Sequence, residues 1–300
     1  INQEEEEVTD VIWKPHEGVQ TYALTVGDCY EILYGGARGG GKTDCGMAWL
    51  LRATEFPDAR MLVVRRNADD LADWIDRAHK MYPYAKIVGK PATIKFPSGA
   101  IIRTGHLKDD QAYTKYQGHE YQRILIEELT QIPTEESYLK LISSCRSTIP
   151  GLDPKIFCTA NPGGKGHQWV KRRFIQGHKP MVAFKSGGER YRMYIPATID
   201  NNPTLIENDP NYVDLLDNLA EPLRSAWRHG DWDIFAGQYF GEWNPSMHVV
   251  KEELAKKLGY GQDYNKKYIG IDWGYTAPFA CVWIEVTPKN MVFAYRELYG

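Results

Sequence analysis

The sequence predicts an α/β fold with a mostly parallel β-sheet. Short apolar runs, typical of buried strands, alternate along the chain with segments of helical spacing. A glycine-rich loop follows the first of these strands, and a pair of carboxylates ends a later one. Strands that alternate with helices are typical of parallel sheets, because each helix returns the chain to the start of the next strand.

The first half of the chain shows this alternation clearly. Its ranges are a strand at 31–36, a helix at 44–56, a strand at 60–67, a helix at 68–82 and a hairpin at 92–105. The hairpin is predicted from alternating apolar residues on both sides of Pro97-Ser98-Gly99.

The second half continues the pattern and then changes. A strand at 123–129, a helix at 136–147 and a strand at 154–164 are followed from about 200 by a segment rich in Pro, Asn and Asp, helical at 211–228. An apolar strand pair at 267–286 and a last strand at 291–300 come after it. We predict three parts: residues 1–200, a lid or linker subdomain at 201–240, and the first part of another domain at 241–300.

Composition sets limits on the function. The 300 residues are 43% apolar and 25% charged, with a net charge of −3, so overall charge does not announce a nucleic-acid partner. The apolar runs are too short for a membrane span. The five cysteines form no C-x-x-C pair, which argues against a zinc site, and the first ten residues, INQEEEEVTD, predict a solvated acidic leader.

The glycine-rich stretch YGGARGGGKT matches the phosphate-binding pattern G-x-x-x-x-G-K-[ST] at every position, between a strand and a helix. Glycines allow backbone N–H groups to surround phosphates closely. Lys42 is expected to reach the β- and γ-phosphates of ATP, and Thr43 to hold Mg²⁺ through its hydroxyl. The predicted phosphate-binding residues are Gly36, Ala37, Arg38, Gly39, Gly40, Gly41, Lys42 and Thr43.

The apolar stretch ILIEE supplies the acidic strand that such a loop requires. We predict that Glu127 contacts Mg²⁺, directly or through water, and that Glu128 deprotonates the attacking water. Aspartate is usual at the first position, so Glu127 is a departure. A pair of carboxylates favours hydrolysis over nucleotide binding alone.

Several stretches, taken in order, resemble the large terminase subunit of tailed bacteriophages. They are GGARGGGKT, YQGHEYQRILIEEL, FCTANPGG, HGDWDIFAGQYFGEW and YIGIDWGYTAPFA, which together cover nearly the whole chain. The resemblance implies a P-loop NTPase of the type with an additional strand and a catalytic glutamate (ASCE), a lid, and the start of an RNase H-like nuclease domain. It implies an ATPase that drives double-stranded viral DNA into a procapsid.

The resemblance also implies roles for single residues. Arg38 would stabilise the γ-phosphate, Gln20 would recognise adenine, and Thr159 and Asn161 would couple nucleotide state to movement of the lid at about 201–235. Many relatives carry an Arg-Gly pair whose arginine acts on the neighbouring subunit's ATP. Gln117-Gly118 stands there in this chain. Candidates for the missing cation are Lys115, Arg123 and Arg146.

The resemblance places a nuclease metal ligand at Asp272, at the end of YIGID. Two Mg²⁺ or Mn²⁺ ions need several carboxylates, and the family's other ligands lie further along the chain than residue 300. Glu285 and Glu297 are weak candidates. We therefore expect an incomplete nuclease site in these 300 residues.

The implied partners are double-stranded DNA, a small terminase subunit and the portal protein. We expect a ring of copies when assembled and a monomer when isolated, in the host cytoplasm, outside the mature virion and without a membrane partner. Basic residues at 165–174 and the pair Arg65-Arg66 are candidates for DNA contact. Two alternatives remain open, a P-loop helicase-like ATPase and a nucleotide-binding assembly scaffold that does not hydrolyse ATP.

Overall fold

The computed structural model describes residues 11–109, 111–185, 187–234, 245–273 and 279–299. The predicted leader at 1–10 and much of the junction at 229–243 lie outside these residues. The chain divides into two compact units, Ile1–Gln238 and Tyr239–Gly300, and each is described by itself.

The first unit contains a nine-stranded sheet in the order β3-β4-β5-β2-β6-β7-β1-β9-β8. The six strands from β5 to β9 in that order run parallel, and β3, β4 and β8 are antiparallel additions at the two edges. The strands are β1 (Glu31–Gly36), β2 (Arg60–Arg65), β3 (Lys86–Val88), β4 (Thr93–Lys95), β5 (Ile101–His106), β6 (Arg123–Ile126), β7 (Lys155–Ala160), β8 (Phe184–Lys185) and β9 (Tyr191–Ala197).

Helices cover both faces of this sheet. They are α1 (Val19–Thr25), α2 (Lys42–Leu51), α3 (Ala72–Met81), α4 (Glu135–Ile142), α5 (His167–Phe174), α6 (Pro203–Asn208), α7 (Asn211–Asp217) and α8 (Leu223–Arg228). Alternate strand residues enter two separate apolar cores: Ile32 packs with α1, α2 and α3, whereas Leu33 packs with α4 and α5. Burial on both faces explains why the parallel strands are nearly continuous apolar runs.

The predicted α/β class and mostly parallel sheet are confirmed, as is the hairpin, now β4 and β5. Some boundaries were wrong. The helix predicted at 44–56 spans Lys42–Leu51 instead. Its start is earlier because Gly41, in a left-handed conformation, is the N-cap residue. The strand predicted to continue to 129 ends at Ile126, since Glu128 has a φ of 56° and leaves the strand conformation. Strand β9 was not predicted.

The second unit contains α9 (Pro245–His248), α10 (Glu252–Lys257) and an antiparallel sheet in the order β10-β11-β12. Its strands are β10 (Lys266–Asp272), β11 (Ala280–Val286) and β12 (Val292–Tyr299). The predicted strand pair and last strand are thus confirmed, whereas the RNase H-like assignment stays a prediction. Within the described parts of both units, no helix is long and apolar enough to cross a membrane.

Candidate active site

The glycine loop lies between β1 and α2 at the carboxyl end of the parallel strands. Gly36 has a φ of 144°, and a Cβ there would lie 2.3 Å from the carbonyl oxygen of Ala197 in β9. Gly39 and Gly41 are also left-handed, with φ of 77° and 66°. No other residue type fits position 36 without moving the neighbouring strand, so the glycines are needed for the shape of the loop.

The first amides of the loop are held by neighbouring segments. The Ala37 N–H donates to the carbonyl of Ala197 at 2.8 Å, and the Arg38 N–H donates to the carbonyl of Trp227 in α8, also at 2.8 Å. Gly230 packs so closely that a Cβ there would lie 2.6 Å from the Ala37 nitrogen. The loop is therefore fixed from one side by β9 and from the other by the predicted lid.

Lys42 is the first residue of α2, where the helix presents its positive end. Its ammonium group donates to the carbonyl of Ala37 across the loop. Burial lowers the pKa of Lys42 to about 8, although the nearby carboxylates of Glu127 and Glu128 act in the opposite direction. A bound polyphosphate would supply the negative charge that favours the protonated lysine.

Glu127 is buried directly after β6 and faces α2. One of its oxygens, Oε2, accepts from the Thr43 hydroxyl at 2.9 Å and lies 3.3 Å from the guanidinium of Arg65. Its other oxygen, Oε1, is buried without a hydrogen-bond partner. Burial raises the pKa of Glu127 despite the opposing effects of Arg65 and Thr43. The hydroxyl and the carboxylate together form an oxygen ligand set of the kind that suits Mg²⁺.

Glu128 is held in a strained conformation beside the cavity above the loop. Its φ of 56° is unusual for a residue other than glycine, and its N–H donates to the hydroxyl of Thr159 at 3.1 Å. Thr159 belongs to β7, which lies between β1 and β6 in the sheet. Strand β7 therefore positions the Glu128 backbone through this hydrogen bond. Strain of this kind persists where surrounding contacts over-determine it, often at functional sites.

The loop after β7 places Asn161 beside Glu128. The Thr130 hydroxyl donates to the carbonyl of Asn161 at 2.9 Å, and the side-chain oxygen of Asn161 is buried without a partner. A cavity of about 280 Å³ here is lined by Asn161, Glu128 and Arg38, and by Trp227 of α8. Both predicted coupling residues, Thr159 and Asn161, thus lie beside the predicted catalytic carboxylate.

A cavity of about 480 Å³ lies directly over the glycine loop, within the size range of small-molecule sites. The sequence predicted its loop residues, Glu128 and Asn161, but it missed five others that line it: Asp44, Arg77, Asn202, Leu205 and Tyr212. Arg77 pairs with Asp44 at 3.2 Å, and no motif marked it. The other three follow β9, the strand that was not predicted.

Arg38 contacts α8, in the predicted lid. Its guanidinium carbon lies 3.3 Å from the centroid of the Trp227 ring, which is a cation–π contact. Arg38 is otherwise exposed and lines both cavities. The arginine therefore lies within the site, but in this structure its guanidinium group stacks on the Trp227 ring of α8.

Gln20 is buried against the loop, and its amide group is engaged there. Its oxygen accepts from the His16 N–H at 2.6 Å, and its nitrogen donates to the carbonyl of Gly41 at 3.2 Å. These contacts support the loop. Recognition of adenine by Gln20 stays a prediction.

Asp272 belongs to the second unit, at the exposed end of β10. In register it stands opposite Ala280, whereas Glu285 pairs with Lys267 at the other end of the sheet. Across the described residues of both units, no three His, Cys, Asp or Glu side chains are grouped as metal ligands. The metal-binding role of Asp272 stays a prediction.

The suggested basic surface needs a correction. Arg173 is buried and pairs with Glu31 at 2.9 Å, and Lys171 pairs with Asp233 at 2.6 Å. Arg65 is directed to Glu127 rather than outward. Helix α5 is amphipathic, so its cations serve internal contacts as well as the surface, where Arg172 is exposed. DNA contact by 165–174 stays a prediction.

The three candidates for the missing trans-acting cation differ in their surroundings. Arg123 starts β6, at the opposite end from Glu127, and donates to the carbonyls of Gln122 and Asp153. Arg146 is exposed and lies 3.8 Å from a Glu120 oxygen. Lys115 is exposed, with its ammonium group 3.2 Å from the His106 ring. The choice among them stays open.

Comparisons with known proteins agree with this geometry. Over 96% of its length the chain resembles the large terminase of the thermophilic bacteriophage D6E, with 17% identity, a TM-score of 0.58 and 69% of that chain covered. A structure of the same terminase with ATP-gamma-S gives 17% identity, a TM-score of 0.55 and coverages of 95% and 68%. The Thermus phage P74-26 large terminase ATPase domain matches at 13% identity and a TM-score of 0.49, covering 73% of this chain and 93% of that one.

At 17% identity the two structures of the D6E terminase establish a shared fold. None of the curated proteins gave a match. The family model described as "Phage terminase large subunit" matches residues 28–229, about two thirds of the chain, a range that includes the glycine loop, both glutamates, Thr159, Asn161 and α6 to α8. The chain therefore belongs to the phage terminase large subunit family.

Proposed function

We propose that this chain hydrolyses ATP in the cavity over its glycine loop and uses the reaction to move double-stranded viral DNA into a procapsid. The observation that carries the proposal is the placement of Glu128. A strained turn holds this carboxylate at the cavity, next to Lys42 of the loop and next to Glu127, which is bonded to Thr43.

Each residue has a distinct role in this mechanism. The loop amides from Gly39 onward and the Lys42 ammonium group bind and orient the phosphates, and Glu128 accepts the proton of the attacking water. Thr43 and Glu127 would hold Mg²⁺, which neutralises charge on the phosphates when bound. Arg65 keeps Glu127 in place by pairing with Oε2, which leaves Oε1 without a partner.

Two contacts support coupling of hydrolysis to movement. Thr159 connects Glu128 to β7, and Asn161 lies between the two cavities. Arg38 lines both cavities while it stacks on Trp227 of the lid. Loss of the γ-phosphate would therefore change the surroundings of the loop after β7 and of α8 at the same time.

The proposal includes partners and place. The assembled protein would form a ring of copies with DNA, a small terminase subunit and the portal protein, in the host cytoplasm. Asp272 would contribute to DNA cleavage in an RNase H-like domain that needs further carboxylates. A helicase-like ATPase is less favoured, because the family match continues past the sheet to residue 229, within the predicted lid. A scaffold that only binds nucleotide would not need Glu128 at the cavity.

The test is hydrolysis of Mg-ATP by the wild type and by Glu128→Gln, with ATP affinity measured separately. We expect turnover to fall by about 10²–10⁴-fold with ATP affinity retained, because general-base catalysis contributes about that much. Glu136→Gln is the matched control, since this exposed glutamate of α4 forms a surface salt bridge with Lys140. Equal turnover in the wild type and Glu128→Gln would remove Glu128 from catalysis and favour the scaffold.

A further inference from the structure

We propose that Tyr212 of the lid stacks on the adenine base of ATP, with Leu205 completing the apolar wall of the base site. This inference rests on the proposed function, since it assumes that the cavity over the loop binds ATP. It names the part of the site that recognises the nucleoside, which the sequence motifs locate only at Gln20.

The direction of the nucleotide in the cavity follows from the catalytic groups. The γ-phosphate must lie toward Glu128 and Asn161, which line both the larger cavity and the adjoining one of about 280 Å³. Leu205 and Tyr212 line only the larger cavity. They therefore belong to the part of the cavity that remains for the nucleoside.

Contacts with the loop fix this wall in place. A Cβ on Gly39 would lie 2.8 Å from Cδ2 of Leu205 and 3.2 Å from Cε1 of Tyr212. Asn202, at the start of α6, donates from Nδ2 to the carbonyl of Gly39 at 2.7 Å. The lid segment thus rests on the middle of the loop, and Tyr212 is half-buried there, next to the space that a base attached to the phosphates would enter.

The chemistry of the wall suits a planar base. An aromatic ring stacks on any purine, because every base has a π-face, and a leucine adds apolar contact without hydrogen-bond selectivity. Tyr212 is therefore expected to contribute affinity for the base, while leaving the choice between adenine and guanine to other groups.

The experiment compares ATP with inorganic tripolyphosphate, which lacks base and ribose, by calorimetry on the 300-residue chain. We expect Tyr212→Ala to weaken ATP binding by about tenfold or more, in line with the loss of one base stack. Its affinity for tripolyphosphate should match the wild type. Tyr212→Phe should bind ATP within about twofold of the wild type, because the ring remains.

Tyr84→Ala is the matched control, since Tyr84 is 83% exposed and lines none of these cavities. Equal ATP affinity in Tyr212→Ala and the wild type would overturn the stacking role. An equal loss for ATP and tripolyphosphate would also overturn it, because the ring would then support the loop and not the base. If the wild type binds neither compound, the proposed function itself fails.

Discussion

At the scale of single residues, Lys42 makes the nucleotide site sensitive to pH. Its pKa is lowered to about 8 by burial, whereas bound phosphates would raise it again. Below about pH 8 the lysine is already charged, so ATP affinity should be constant. Above that pH binding requires uptake of a proton, and ATP affinity should fall by up to about tenfold per pH unit.

The measurement is the Kd for ATP from pH 7 to pH 10. Lys42→Arg is the comparison, since arginine stays charged throughout this range. Its affinity is expected to be lower at neutral pH but flat. A wild-type Kd that is equally flat would show that Lys42 does not lose its proton near pH 8.

The residue-scale predictions succeeded where chemistry dictates the sequence. The loop needs glycine and lysine at fixed spacing, and the second glutamate must follow a buried strand, so Lys42 and Glu128 could be found from the sequence. The partners of Arg38 and Arg65 could not. Trp227 and Glu127 lie 189 and 62 positions away from them along the chain, and only the fold brings these pairs together.

At the scale of elements, Arg38 of the glycine loop stacks on Trp227 of α8, beside the backbone hydrogen bond between the same two residues. Cation–π contacts are worth about 0.5–2 kcal/mol, depending on exposure. We therefore expect Trp227→Ala and Arg38→Ala to increase hydrogen exchange in α8 by similar amounts. The double variant should add little further, because both changes remove the same contact.

Exchange in α3, which does not contact this pair, serves as the internal reference. Additive effects of the two substitutions on α8 exchange would mean that Arg38 and Trp227 stabilise the lid separately. In that case the arginine would not report the nucleotide state to α8 through this ring.

Elements were predicted less well where polar residues have internal partners. The segment 165–174 was interpreted as a candidate for DNA contact because of its cations, yet α5, which begins at His167, buries Trp169, Phe174 and Arg173. Strand β9 was missed because its sequence, YRMYIPA, contains an arginine and a proline. That arginine, Arg192, pairs with Glu31 at 3.1 Å, a contact that periodicity does not reveal.

At the scale of the whole first unit, a buried ionic cluster connects β1 to β9 and to the helices α4 and α5. Glu31 accepts from Arg173 at 2.9 and 3.0 Å, from Arg192 at 3.1 Å and from the Tyr138 hydroxyl at 2.7 Å. Burial alone would raise the pKa of Glu31, but these donors outweigh it, and the pKa lies below its usual value.

Glu31→Gln should lower the free energy of unfolding by about 3–5 kcal/mol, because it removes a buried carboxylate that pairs with both Arg173 and Arg192. The contribution of Glu31 is present above its unfolded-state pKa and is lost as pH falls through the lowered folded-state pKa. Denaturant unfolding at neutral and acidic pH measures both effects. Lys140→Ala, which breaks an exposed pair, should cost less than about 1 kcal/mol, and equal losses in the two variants would contradict a structural role for the cluster.

The same cluster has a mechanical consequence. Glu31 is the first residue of β1, and the glycine loop follows the other end of this strand. Hydrogen bonds from α4, α5 and β9 therefore hold β1 at the end opposite the loop. A strand clamped at its root does not slide along its axis when the load at its tip changes. Under the proposed function, movement caused by phosphate release would then pass to Arg38, to Asn202 and to the predicted lid segment that they contact. The sheet itself would stay in place.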